Sequence, residues 1–287
     1  MALTDDLPAS AAHSEVTLEL AKKESAEHMH GMKQAYDELG KRPLLVKAYA
    51  LDDPKAPSPS LSNGIRTKTV HFVRHGQGFH NLMADLAHAQ GKEWEQFKDT
   101  PENPYLIPEI LDAPLTEKGR QQAYVLQAQI NGMELGQKPQ LVVFSPNCRA
   151  LQTGVIVFES LVGKVPFVAH EMAREESGIH VCDKRRPVSR QRTEFPQVNF
   201  GLLEADDDPL FQDDVRETRQ QVADRVYQFF EWLATQDEQI VAVSSHSGWL
   251  LTVFNAMLRC DESLRGWFQT GEMRSVQLEF LRRDERV

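Results

Sequence analysis

The chain has 287 residues, and 32 lysines and arginines against 42 aspartates and glutamates give it a formal net charge of −10. An acidic chain lacks the basic face that nucleic-acid binding requires, so nucleic acid is not an expected partner. With 41% hydrophobic and 26% charged residues, the chain can bury a core and is not disordered throughout. Its three cysteines are far apart in the sequence, which favours reduced thiols over a disulfide framework.

The first twenty residues predict no targeting segment. They read MALTDDLPASAAHSEVTLEL, with two adjacent acids and no apolar run of the kind found in signal peptides. No apolar stretch elsewhere is long enough to span a bilayer. We therefore expect a cytoplasmic protein with no membrane partner, and the sequence makes no prediction of its oligomeric state.

Residues 1–66 are predicted to form an N-terminal extension, composed of a helix and a linker. A polar helix with weak apolar periodicity is expected over residues 15–39. The stretch DPKAPSPSLSNG then has the Pro, Ser, Asn and Gly content of a loop or linker. Residues 67–287 are assigned to one main domain.

Short apolar runs alternate with helical patterns through the main domain. Strands are predicted at TVHFV (69–73), LVVF (141–144), FVAHEM (167–172), IVAVSS (240–245) and SVQLEFL (275–281). Helices are predicted over 116–130, 149–161, 215–234 and 249–258, the third of them capped by Asp214 with Glu217. This alternation predicts an α/β fold, a three-layer α/β/α sandwich around a mainly parallel sheet.

Two long segments, 76–115 and 171–213, carry little strand signal. Insertions that follow strands in an α/β sheet lie over the crevice in which ligands bind. We expect these segments to form a cap of helices and loops over the carboxyl ends of the strands.

Three of the predicted strands end in polar residues: Arg74-His75-Gly76, the run SPNCR that ends at Arg149, and His246-Ser247-Gly248. A doubly wound sheet brings such strand ends together, so two histidines and two arginines are expected to converge on one pocket. Taken singly, each would be better explained as a core or surface residue. Together they favour a phosphate site, because the planar guanidinium fork matches phosphate oxygens.

The segment VRHGQGFHN at 73–81 resembles the signature of the histidine phosphatase superfamily, the phosphoglycerate mutase-like proteins. The resemblance continues through APLTEKGRQQA (113–123), SPNCRALQT (145–153) and SSHSGW (244–249). A plant and fungal subgroup of that family is resembled by REESGIHVCDKRRP (174–187), FPQVNFGLLEADDDPLF (195–211), DVRET (214–218) and EMRS (272–275). The resemblance covers roughly residues 66–281 and implies the family's α/β fold.

The resemblance also implies roles for individual residues. His75 is the expected nucleophile, which would form a phosphohistidine intermediate. Arg74 and Arg149 would bind the phosphate, and His246 would stabilise charge on the transferring phosphoryl group. Asn81 matches a polar position near the phosphate. Since the attacking nitrogen of His75 must be unprotonated, its other nitrogen should donate to a backbone carbonyl.

The leaving oxygen needs a proton, and the family takes it from a carboxylic acid on a loop after the third strand. Glu175 and Glu176 are the candidates, and alignment on the Arg-Glu pair favours Glu175. Both could instead be solvated surface acids. A glutamate that works as an acid needs a pKa raised by burial or by a neighbouring charge.

A basic run follows at Lys184, Arg185 and Arg186. Such a run is commonly a solvated face, but within this resemblance it could line the cap and bind a second anionic group of the substrate. Arg190 and Arg192 could extend it. We take the run as a candidate for substrate binding and specificity, outside the catalytic set.

No metal and no cofactor are predicted. His71, His75 and His80 are close enough in sequence to count as a metal-site candidate, but their spacing fits no helix face and no acid lies between them. Cys148 stands beside Arg149, yet its surroundings are not the C-x5-R loop of a cysteine phosphatase.

These patterns predict a metal-independent phosphomonoester hydrolase that acts on a small phosphorylated metabolite. A phosphoglycerate-type mutase is the near alternative, since it shares the catalytic core. Cofactor-dependent mutases of the family carry E-R-H-Y-G where this chain has REESG, which favours the hydrolase. A non-catalytic regulatory or scaffold protein that retains the fold is a further alternative. The presence of all five expected residues argues against it: Arg74, His75, Arg149, Glu175 and His246.

Overall fold

The computed structural model describes residues 30–57, 66–92 and 100–283. Its strands are β1 (Leu44–Ala50), β2 (Arg66–Arg74), β3 (Leu141–Phe144), β4 (Phe167–Ala169), β5 (Ile240–Ser245), β6 (Leu258–Arg259) and β7 (Met273–Arg282). They form one seven-stranded sheet in the order β4-β3-β5-β2-β7-β1-β6. All pairings are parallel except those of β7, which runs antiparallel to β1 and β2.

Helices cover both faces of this sheet. They are α1 (residues 30–39), α2 (Phe79–Ala89), α3 (Glu117–Gly132), α4 (Cys148–Val157), α5 (Val188–Glu194), α6 (Arg219–Thr235) and α7 (Ser247–Thr252), which continues into a π-helical turn (Val253–Met257). Helices α1, α6 and α7 share one apolar cluster with the sheet, and α3 and α4 share the other. Neighbouring strand residues alternate between the clusters, as Phe72 and Val73 do in β2. The three-layer α/β/α prediction is confirmed.

The five predicted strands are present as β2, β3, β4, β5 and β7. The strand predicted at 167–172 ends early at Ala169, because Glu171–Ala173 forms a 3₁₀ turn. Within the described parts of the chain, none of the helices combines the length and the apolarity that crossing a bilayer requires.

Residues 44–50 differ from the prediction, which placed them in an N-terminal extension of helix and linker. They form β1, which lies inside the sheet between β7 and β6. Leu44, Val46 and Ala48 are buried and alternate with less buried residues, which is the period of a strand with one face on the core. This segment is therefore a strand of the sheet and not a helix or a linker. Positions 15–29 of the predicted helix and 58–65 of the linker lie outside the described residues.

The start of α6 also differs from the prediction. Its N-cap is Thr218, whose hydroxyl accepts from the Gln221 N–H while the Gln221 side chain accepts from the Thr218 N–H. The cap predicted at Asp214 is wrong, because Glu217 turns away and pairs with Arg225 instead. Glu217 therefore lies before the helix, and its carboxylate pairs with an arginine of the second turn of α6.

The start of α3 packs directly against the loop that follows β2. A Cβ added at Gly76 would lie 2.3 Å from the carbonyl oxygen of Gly119, and one added at Gly119 would lie 2.2 Å from that of Gln77. The N-cap residue Thr116 accepts from the Gly119 N–H and donates to the Gln77 side chain. Glycine is required at both positions, and this close packing holds the loop in place.

Candidate active site

A cavity of about 610 Å³ opens at the carboxyl ends of β2, β3 and β5. Five of the site candidates from the sequence line it: Arg74, Asn81, Arg149 and the two acid candidates Glu175 and Glu176. Both segments predicted to form the cap contribute to the lining, for example through Tyr105 and Asp183. The cap therefore lies where the sequence predicts it, over the strand ends.

His75 lies directly behind this lining and is 1% exposed. Its Nδ1 is 2.7 Å from the carbonyl oxygen of Gly76. Because a carbonyl only accepts, Nδ1 carries the proton and Nε2 keeps its lone pair. Arg149 Nε donates to that Nε2 at 3.2 Å. Burial, followed by the charges of Arg149 and Arg74, lowers the pKa of His75 well below its usual value, so the ring is neutral.

His246 follows β5 and lies beside His75, with 5.1 Å between the ring centroids. Its Nε2 is 2.7 Å from the Ser145 hydroxyl, which joins the ends of β5 and β3. Its Nδ1 is buried and has no hydrogen-bond partner among the described residues. Burial and then the charge of Arg149 lower the pKa of His246 well below its usual value, so this ring is neutral as well.

The two arginines of the predicted phosphate site are held differently. Arg74 donates from Nη1 to the carbonyl of Phe268 at 2.7 Å, and its buried Nε has no hydrogen-bond partner within the described ranges. Burial lowers its pKa. Arg149 donates from Nη1 to the carbonyl of Cys182 at 2.6 Å and from Nη2 to Asp183 at 2.8 Å. Arg149 is thus fixed in place by the cap.

Glu175 lies against the first turn of α7, immediately after His246. Its Oε2 accepts from the Gly248 N–H at 3.1 Å and the Ser247 hydroxyl at 3.3 Å, and its Oε1 accepts from the Trp249 N–H at 3.0 Å. Backbone donors at a helix start fix a carboxylate firmly. The side chain is therefore held at the edge of the cavity, next to the end of β5.

Glu176, the other acid candidate, faces a different part of the cavity. It pairs with Arg216 (Nε to Oε1, 3.2 Å) and Arg219 (Nη1 to Oε2, 2.5 Å). Burial raises the pKa of Glu176, and these two arginines oppose the rise. Glu175 instead acts electrostatically on both arginines of the predicted phosphate site. The geometry therefore favours Glu175 as the carboxyl group nearer to the predicted phosphate site.

The basic run does not line the cavity, which corrects the prediction that it binds substrate. Arg185 is 2% exposed and spends its donors on Glu171 and on backbone carbonyls of residues 205–207. Arg186 pairs with Asp112, and Lys184 lies over an aromatic ring outside the cavity. The two further arginines on α5 are exposed. Buried acids and carbonyls of the cap bind the two arginines of the run, so the run stabilises the fold.

Two other sequence candidates also lie elsewhere. His71 is inside β2, where its ring bonds the Ser275 hydroxyl at 2.7 Å and the carbonyl of Gln137 at 3.1 Å. Cys148 is buried in the first turn of α4, and burial raises its thiol pKa to about 12. A thiol with so high a pKa does not present the nucleophilic thiolate.

Several lining residues carry no role in the sequence prediction. They are His80, Tyr105, His180, Asp183, Arg216, Arg219 and Trp267. His80 lies in α2, within the segment VRHGQGFHN, and its ring centroid is 5.5 Å from that of His75. Arg216 belongs to the DVRET motif, and Arg219 is the first residue of α6. The other four lie outside the α-helices and strands, and their positions are determined only when the chain folds.

Comparison with known proteins supports the similarity seen in the motifs. A family model described as histidine phosphatase superfamily (branch 1) matches residues 70–287. Phosphoglycerate mutase-like protein 2 of Arabidopsis thaliana is 30% identical over 268 residues, which cover 75% of this chain and 74% of that protein. Phosphoglycerate mutase-like protein 1 of the same plant is 32% identical over 242 residues, covering 74% and 81%.

A solved structure described as mycobacterial hydrolase 1 is also similar, with a TM-score of 0.46 and 16% identity over 74% of this chain and 92% of that one. The family model covers more than half of the chain, including β2 with its Arg-His-Gly end and the histidine that follows β5. The chain therefore belongs to the histidine phosphatase superfamily.

Proposed function

We propose that the protein is a phosphomonoester hydrolase that works through a phosphohistidine on His75 and needs no metal. The substrate is a small phosphorylated metabolite. The observation that carries the proposal is the state of His75: a neutral ring whose Nδ1 is held by a carbonyl and whose Nε2 faces Arg149. A nucleophile with a fixed tautomer beside two guanidinium groups suits attack on a phosphate.

In the first step, Nε2 of His75 attacks phosphorus, the N–P bond forms and the bond from phosphorus to the ester oxygen breaks. Arg74 and Arg149 offset the charge of the phosphoryl oxygens, and the hydrogen bond from Arg149 Nε passes from the imidazole to one of them. His246 contacts another phosphoryl oxygen through its unpartnered Nδ1. The carboxyl group of Glu175 must be protonated in the complex with substrate, and it then gives that proton to the leaving oxygen.

In the second step, a water molecule attacks phosphorus and gives a proton to the Glu175 carboxylate. The N–P bond breaks, its electron pair returns to Nε2, and inorganic phosphate leaves. Both steps use the same carboxyl group, first as an acid and then as a base, so the catalytic set returns to its starting state.

The test is phosphate release from an aryl and an alkyl phosphate in the presence of EDTA. We expect His75→Ala to lower kcat/KM about a thousandfold or more for both esters, as loss of a nucleophile does. His71→Gln, a substitution in the same strand away from the cavity, serves as the control and should retain activity. Loss of wild-type activity in EDTA, or full activity in His75→Ala, would overturn the proposal.

The residue that acts as the acid is identified by how far the loss of activity in its variant depends on the leaving group. A nitrophenolate leaves without a proton, whereas an alkoxide does not, so Glu175→Gln should lower kcat/KM about a hundredfold for the alkyl ester and far less for the aryl ester. The same selective loss in Glu176→Gln would assign the role to Glu176. Isomerisation of 3-phosphoglycerate with added bisphosphate, in place of phosphate release, would identify a mutase. Inactivity of the folded protein in both assays would support a non-catalytic role.

A further inference from the structure

Asp183 ends a 3₁₀ turn of the cap (Val181–Asp183) that contacts the start of α4. Its backbone carbonyl accepts from Arg174 Nη2 at 2.7 Å and from Asn147 Nδ2 at 3.2 Å. Asn147 is the N-cap residue of α4, two positions before Arg149. The turn is therefore bonded both to the helix that carries Arg149 and to another segment of the cap.

The Asp183 side chain bridges two arginines of the cavity. Its Oδ1 accepts from Arg149 Nη2 at 2.8 Å, and its Oδ2 accepts from Arg216 Nη1 at 2.8 Å. Burial alone would raise the pKa of Asp183, but Arg216 and Arg149 outweigh burial and lower that pKa, so the side chain is a carboxylate. Both hydrogen bonds are therefore charge-assisted, and such bonds are stronger than those between neutral groups.

The three nitrogens of the Arg149 guanidinium have different partners. Nη1 donates to the carbonyl of Cys182 at 2.6 Å, Nη2 donates to Asp183, and Nε donates to Nε2 of His75 at 3.2 Å. Two bonds to adjacent residues of one turn fix a planar group in both position and orientation. The direction in which the Nε–H points, toward His75, is therefore set from the cap side of the guanidinium.

The position of Arg149 matters because this side chain acts on the reacting groups. In the proposed first step its Nε–H passes from the imidazole of His75 to a phosphoryl oxygen. A misplacement of about 1 Å at such a group lowers a rate about a hundredfold. A freely rotating arginine would also have to lose rotamer freedom when it binds phosphate, whereas a guanidinium held by the cap has already lost it.

We propose that Asp183 is a positioning residue of the active site, whose carboxylate holds the guanidinium of Arg149 in reach of His75 and of the phosphoryl group. This inference rests on the phosphomonoester hydrolase proposed above and adds a residue of the cap to its machinery. Asp183 has no contact of its own with the phosphate, because both of its oxygens accept from arginines and a carboxylate repels a phosphate dianion.

The test is a double-mutant cycle of Asp183→Asn and Arg149→Gln, measured as kcat/KM for an aryl phosphate after subtraction of the rate of His75→Ala. If Asp183 acts through Arg149, Asp183→Asn should lower kcat/KM about ten- to a hundredfold in wild type and less than about threefold in Arg149→Gln. A loss that comes only from a weaker fold is the same in both backgrounds. No loss in Asp183→Asn, or an equal loss in both backgrounds, would overturn the proposal.

Asp208→Asn is the matched control. Asp208 is another buried carboxylate of the cap, but it accepts from Nη1 and Nη2 of Arg174, each at 2.6 Å. Any effect of Asp208→Asn on kcat/KM should therefore be the same with and without Arg149→Gln. A coupling to Arg149 as strong as that of Asp183→Asn would contradict the proposal. If urea denaturation shows that Asp183→Asn does not fold, Asp183→Glu takes its place with the same expectation, because it keeps the charge and moves the carboxylate by one methylene.

Binding of inorganic phosphate separates this inference from the proposed function. Calorimetry gives the same cycle without turnover, and Asp183→Asn should weaken phosphate binding about tenfold in wild type and much less in Arg149→Gln. Such coupling in a wild type that hydrolyses no ester would support the positioning role and overturn the hydrolase. Hydrolysis that disappears in His75→Ala, without coupling between Asp183 and Arg149, would support the hydrolase and overturn the positioning role.

Discussion

Arginine side chains of similar burial have different roles in this molecule, and only their partners tell them apart. Arg149 and Arg185 are 1% and 2% exposed. Arg149 donates to His75, whereas the donors of Arg185 go to Glu171 and to carbonyls of the cap. The sequence predicts the role of Arg149 from its motif. It could not separate Arg185 from a ligand-binding arginine, because Glu171 and the carbonyls of residues 205–207 are 14 to 22 residues away and meet it only in the folded cap.

If the basic run stabilises the fold, substitution of its buried arginine should lower the free energy of unfolding. Arg185→Met removes one of the two arginines that donate to Glu171 and takes a donor away from the buried carbonyls of residues 205–207, so the free energy of unfolding should fall by about 3–5 kcal/mol. Lys184→Ala removes a half-exposed side chain and should change stability by no more than about 0.5 kcal/mol. Urea denaturation measures both. A tenfold rise in the KM for glycerol 3-phosphate in Lys184→Ala would instead show that the basic run binds substrate.

At the scale of elements, local patterns predict the sheet well and the helix starts less well. A short, continuously apolar run is most simply explained as a strand buried on both faces. β2, β3 and β5 accordingly lie where their apolar runs predict. β1 is not predicted, although its segment LLVKAYA is largely apolar, because its partner β7 is more than two hundred residues away in the chain. The start of α6 was misplaced because Asp214 and Glu217 imitate a cap that the Glu217–Arg225 ion pair prevents.

The N-cap residue of α6 should contribute to the stability of the protein. Thr218→Ala removes the hydroxyl that accepts from the Gln221 N–H, so the free energy of unfolding should fall by about 1 kcal/mol. Asp214→Ala, at the position favoured by the sequence, should be neutral. Urea midpoints with an unchanged m-value are the measurement. A larger loss in Asp214→Ala than in Thr218→Ala would contradict the observed cap.

At the scale of the whole molecule, burial is the chief cause of a lowered pKa at six histidines of the described part of the chain. They are His71, His75, His80, His170, His180 and His246. The unfolded chain binds a proton at each near the ordinary value of about 6.5, whereas the folded protein does not. Below that pH the unfolded state therefore binds more protons, and stability falls as the pH falls.

Acidification from pH 7.5 to 5.5 should therefore lower the urea midpoint, with a loss of about 1 kcal/mol for each histidine that stays neutral in the fold. His170, with a pKa lowered to about 4, offers a matched variant. His170→Asn keeps a side chain that can accept from the Met172 N–H and removes one titrating group, so it should reduce the pH dependence. A midpoint that is unchanged or higher at pH 5.5 would show that these rings are protonated in the folded protein.

Residues of the site were predictable where a motif and the end of a strand coincide, as at Arg74, His75 and His246. The part of the lining that contains Asp183, Arg216 and Glu176 was not, because its ion pairs join residues 33 and 40 positions apart in the chain. The sequence thus predicts one end of the cavity, and the structure adds the rest of its lining.

The central claim is that phosphate passes through His75. The most direct measurement is to mix the protein with a ³²P-labelled ester, quench within one turnover and map the label. We predict one acid-labile, base-stable label on His75, formed in wild type and in His71→Gln and absent from His75→Ala. Turnover with no trapped label, or a label on any other residue, would contradict the account.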